Sequence, residues 1–95
     1  AFSQKGDQSS SRLVQCLSDR YANITGLRYH YQSVTTDMTS YHAFDEISPY
    51  TTAGIIELGF MNLDQQILTT KPDLLAEGIA EGISCYMNNE EVSQP

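Results

Sequence analysis

Basic residues are scarce: five Lys and Arg stand against twelve Asp and Glu in 95 residues, a formal net charge of −7. A chain of that sign repels phosphate backbones, whose affinity for proteins comes largely from cationic side chains, so no nucleic-acid partner is expected. Long apolar runs are missing too. The longest mainly apolar stretch, residues 53–60, contains Glu57 and falls far short of the roughly 20 residues that span a bilayer, so no transmembrane segment is expected. The opening residues carry no apolar signal region, so any targeting segment is expected upstream of this chain, as for a processed or excised segment. Charge itself is sparse, at 18% of residues against 40% hydrophobic, which leaves enough apolar surface to close a core. At this length there is room for one domain or part of one.

Residues 1–7 are polar and read as a loose lead-in. From Gln8 onward, Leu13, Val14, Leu17, Tyr21 and Ile24 recur three and four apart, which predicts one stripe of a helix over about residues 8–24. Asp7, Ser9 or Ser10 offers a side-chain oxygen to the first turn, and Gly26 suits the left-handed conformation that ends many helices. Leu27 to Gln32 alternates Tyr29 and Tyr31 with Arg28, His30 and Gln32, the period of a half-buried strand. Residues 33–50 are rich in Ser, Thr and Tyr and read as a structured loop with a helical turn around residues 38–44. Ala53-Gly54-Ile55-Ile56-Glu57-Leu58 is a mainly apolar run with two adjacent β-branched residues, which predicts a central parallel strand covered on both faces.

Asn62 is placed to cap a short helix over residues 63–68. Thr70-Lys71-Pro72-Asp73 then marks the start of a second long helix: Pro loses nothing at a position whose N–H is unpaired anyway, and Asp suits the positive end of the dipole. Gly78 and Gly82, four apart, would let that helix approach a sheet closely; it ends near Asn88 or Asn89, and residues 90–95 read as a frayed acidic tail. The order helix, strand, loop, strand, helix predicts an α/β fold, a sheet with a central parallel strand flanked by helices. Two strands make a meagre sheet against the usual four to six or so. Either residues 34–36 extend it, or the missing strands belong to another chain.

Glu57 is the sharpest chemical feature, an ionisable carboxylate at the C-terminal end of an apolar run, where ligands gather in open α/β sheets. Burial would raise its pKa and suit it to proton transfer, whereas pairing with an Arg or a backbone N–H would make it structural. His42 lies in a loop before that run and is a candidate substrate contact; His30 reads as an exposed strand residue. Cys16 and Cys85 sit beside the apolar stripes of the two long helices, either as a bridge or as two buried thiols. The tyrosines at 29, 31, 41 and 50 read as packing rather than stacking surfaces.

Gly54-Ile55-Ile56-Glu57-Leu58-Gly59-Phe60-Met61-Asn62, then Leu68-Thr69, then Leu75-Ala76-Glu77-Gly78-Ile79-Ala80-Glu81-Gly82-Ile83, resembles the C-terminal part of the zinc-dependent N-acetylmuramoyl-L-alanine amidases, the peptidoglycan amidases of the bacterial envelope. The shared pattern is a hydrophobic strand ending in Glu, then a small residue and Gly-Phe, an Asn two residues on and a terminal amphipathic helix. Glu57, Gly59, Phe60 and Asn62 fall on it, and the likeness covers roughly residues 53–87. The resemblance implies the C-terminal half of an amidase domain spanning residues 1–95, hydrolysing the amide between N-acetylmuramic acid and the L-alanine of the stem peptide. In it, zinc polarises the carbonyl and activates a water, and Glu57 is general base and then acid. The resemblance assigns the metal to two His and one Glu in segments of His-Gly-His and Ser-x-His type. A catalytic zinc needs about three protein ligands. His30 and His42, twelve positions apart, are read as lying outside such segments, so the ligands are expected on a companion chain and none in this one. The expected location is periplasmic or extracellular. The alternative is a non-catalytic interaction module that keeps the scaffold without the metal site.

Overall fold

Asp7 starts the first helix as a side chain rather than as a member of it. Its carboxylate accepts the Ser10 N–H at 3.1 Å and the Ser10 hydroxyl at 2.6 Å, satisfying a donor that the first turn leaves orphaned. From there α1 runs Gln8–Thr25 and stops at Gly26, whose φ of 75° is open to a residue without Cβ and whose N–H returns to the Ala22 carbonyl. The computed structural model describes residues 1–4, 6–27, 38, 42–48, 50–59 and 61–92. Within these, α2 is the short His42–Asp45, α3 is Met61–Thr70 with a break at Asp64, and α4 is Pro72–Met87.

Lys71 occupies the cap of α4 without a side-chain hydrogen bond, while Pro72 and Asp73 fill the first turn. At the other end the Asn89 backbone is left-handed (φ 53°), the Glu90 N–H bonds the Cys85 carbonyl at 2.9 Å and the Asn89 N–H bonds the Tyr86 carbonyl at 3.2 Å. That pair of bonds is a Schellman closure with Asn in the glycine position.

The two long helices lie antiparallel and very close. Cys16 is bridged to Cys85 with a Cα–Cα separation of 5.6 Å, so of the two states left open for these thiols the structure adopts the disulfide. Along the same seam Gly82 sits against the backbone of Leu17, and Gly78 sits against Tyr21 and Thr25. A Cβ at Gly82 would fall 2.8 Å from Leu17 Cα, so glycine is what permits the approach. The close approach read from Gly78 and Gly82 therefore exists, but the surface approached is a helix, not a sheet.

The α/β expectation is overturned. Among the described residues the structure is 62% helix and 3% strand, with no sheet. The run at residues 53–58, expected as a central parallel strand, makes among the described residues one isolated antiparallel bridge, in which Phe2 and Ile55 exchange two hydrogen bonds of 2.7 Å. It is not covered on both faces: Gly54, Glu57 and Leu58 are exposed and Ile55 and Ile56 only half-buried. A mainly apolar run signals burial without specifying a ladder, and here the burial comes from one flank. The other expected strand falls, apart from Leu27, on residues outside those described.

A second, small cluster covers that flank. Phe2, Met38 and Phe44 are buried, with Ala53 and Ile55 packed on them, and the Phe2 and Phe44 rings meet edge to face at 6.4 Å between centroids. Phe2, in the segment read as a loose lead-in, is thus part of the core. Glu90 and Glu91, read as a frayed end, are likewise held: Arg20 bonds the Glu90 carboxylate at 3.1 Å and the Glu91 carbonyl at 2.9 Å, and Arg12 bonds the Glu90 carbonyl. No described helix is long and apolar enough to cross a membrane.

Candidate functional site

The extended segment around Glu57 is held by groups from distant parts of the chain. Thr52 Oγ1 joins Ser9 Oγ at 2.9 Å and the Tyr86 hydroxyl at 3.1 Å, in a triangle closed by Ser9 and Tyr86 at 3.1 Å. The next residue, Ala53, donates its N–H to Ser10 Oγ at 2.8 Å. Ile55 is paired with Phe2, and the Leu58 carbonyl accepts the Tyr21 hydroxyl at 2.7 Å. Four attachment points across residues 52–58 leave little freedom to the backbone that carries Glu57, and its side chain is exposed between them.

The electrostatics follow from these interactions. Hydrogen bonds from Ser9 and Thr52 hold the Tyr86 phenol below its ordinary pKa. Burial, helped by the negative charge of Asp64, pushes the Tyr21 phenol up, which keeps it protonated as the donor to Leu58. Burial also lowers the Ala1 amino group, against an opposing attraction from Glu57.

His42 is the first residue of α2, and its side chain lies outside those described; His30 lies outside them altogether. Phe44, two residues on, packs against the cluster that holds Ile55, so α2 is seated beside the Glu57 segment. Sequence reasoning passed over one signal here. Ser40-Tyr41-His42 has the Ser-x-His spacing, which the sequence reading took to be absent from this chain. Ser10, Tyr21 and Phe2 were also missed as holders of the Glu57 segment, because nothing local marks a partner some 40 or 50 residues away.

Among the described residues, no three His, Cys, Asp or Glu side chains converge to hold a metal, and both sulfurs are committed to the disulfide. No protein-family model, curated protein or solved structure matches this chain.

Proposed function

We propose that this chain supplies the proton-transferring carboxylate of a peptidoglycan hydrolase that cleaves the amide between N-acetylmuramic acid and the L-alanine of the stem peptide. The observation that supports it is the setting of Glu57: exposed to a substrate, yet carried by backbone tied down at Thr52, Ala53, Ile55 and Leu58. A general base needs both access and a fixed position. The reading rests on that placement and on the amidase-like pattern around it, and makes no use of a sheet.

In this role Glu57 removes a proton from the water that attacks the amide carbonyl carbon. As the C–N bond breaks, the same carboxyl returns that proton to the departing amine of L-alanine. Zinc belongs with ligands on a companion polypeptide. An envelope location agrees with the Cys16–Cys85 disulfide, since such bonds persist outside the reducing cytosol.

The test is reconstitution. The intact chain is mixed with a polypeptide carrying the His-Gly-His-type segment, zinc is added, and stem peptides released from purified peptidoglycan are quantified. Release by the mixture and by neither component alone is expected. A mixture that associates but releases nothing overturns the catalytic reading and leaves the non-catalytic module.

A further inference from the structure

Helix α4 has more apolar surface than its seam with α1 uses. Leu75, Gly78, Gly82 and Cys85 are buried toward α1. Ala76, Ala80, Ile83 and Met87, spaced four, three and four apart, fall on one stripe well away from that buried face, and all four are exposed. Ile83 is 48% exposed and Met87 73%. Beside the stripe runs a second exposed row, Asp73, Glu77 and Glu81, each four residues from the next. No Lys or Arg occurs between Pro72 and Met87.

We propose that this stripe is the docking face for an amphipathic helix of a partner polypeptide whose apolar seam is flanked by Lys or Arg. The alternating four–three spacing is that of a helix–helix seam, and it sets the shape of the occupant. Ala76 and Ala80 permit close approach at one end, while Ile83 and Met87 give the other end side chains that fill holes in a facing helix. The acidic row sets the partner's charge, because like charges facing each other across an interface oppose association. The same row argues against a second copy of this chain. In an antiparallel pair joined through the stripe the two acidic rows face one another, and each copy carries a net charge of −7. It equally disfavours an anionic membrane surface.

The test uses the intact, disulfide-bonded chain and two labelled synthetic helices of about three heptads, identical in their Leu seam and differing only in flanking Lys or Glu. Binding is read by fluorescence anisotropy. The Lys-flanked helix is expected to bind at least about tenfold tighter than the Glu-flanked one, with the gap narrowing at ~1 M salt, where the Debye length falls to ~3 Å. Ile83→Ser with Met87→Ser should weaken it by at least about tenfold, since both side chains lose their apolar burial. Glu77→Gln with Glu81→Gln should reduce the preference for Lys. These side chains are exposed, so an unchanged melting temperature certifies that the fold is kept. The proposal is overturned if the Ser variant binds as the parent does, if the two helices bind alike, if neither binds saturably, or if the chain alone dimerises through the stripe in sedimentation equilibrium.

Discussion

Replacing Gly82 by Ala sets two effects of opposite sign against each other. In a helix interior the change favours the helix by about 1 kcal/mol, because Ala loses less backbone entropy. Here the new methyl would sit 2.8 Å from both the α-carbon and Cδ2 of Leu17 and 3.3 Å from its backbone nitrogen. Rotating the Leu17 side chain relieves only the clash with Cδ2; the clash with the main chain yields only if α1 and α4 move apart. The Cys16–Cys85 bridge, next to Leu17 and one turn from Gly82, resists that movement. Overpacking of a tight core costs about 1–3 kcal/mol, and a backbone clash beside a covalent tether belongs at the upper end. The net is a loss of about 1–2 kcal/mol, which lowers the melting temperature of a domain this size by roughly 5–15 °C. Thermal unfolding of the oxidised protein by far-UV circular dichroism measures it. Gly54→Ala is the comparison, since its methyl would meet Val14 at 3.4 Å and the Phe2 carbonyl at 3.5 Å, both ordinary van der Waals distances, and its effect should stay within about 0.5 kcal/mol. A rise in melting temperature for Gly82→Ala would mean that helix propensity wins and that the seam is looser than described.

Three further perturbations probe the supports of the fold. Reducing the disulfide, or replacing Cys16 and Cys85 together by Ala, frees a loop of 69 residues and should cost up to ~4 kcal/mol on the chain-entropy account, read as a drop in the urea midpoint. Ser10→Ala leaves the Ala53 N–H without its acceptor and should cost about 1–3 kcal/mol by the same assay, with faster amide exchange at Ala53. Asp7 is held below its ordinary pKa by bonds from the Ser10 hydroxyl and then the Ser10 N–H. Its folded value lies below its unfolded one, so its contribution is present above about pH 3.9 and is lost as pH falls through the folded value. The stability gap between the parent and Asp7→Ala should therefore be open at neutral pH and shrink on acidification below about pH 4; a gap that widens instead refutes the cap.

What could be read in advance was chemistry written within a few residues. Asp7 and Gly26 bracket α1, and Pro72 with Asp73 opens α4, because caps and first turns are satisfied by near neighbours. The partner of an extended segment is a long-range fact. Residues 53–58 carry the same apolar signal whether they pair with three strands or, as among the described residues here, with Phe2. Gly78 and Gly82 announced a close approach without saying to what, and α1 took the place expected of a sheet. Glu57 was legible as an oddity of composition, whereas the attachments from Ser9, Ser10 and Tyr21 that hold its backbone depend on α1 lying across it.

Glu57→Gln decides the functional reading most directly, because it removes the proton-accepting oxygen and keeps the size of the side chain. In the zinc-supplemented mixture, stem-peptide release by this variant should fall at least ~10²-fold, with an unchanged melting temperature for the oxidised chain. Release within a few fold of the parent would show that the carboxylate takes no part in the proton transfers assigned to it.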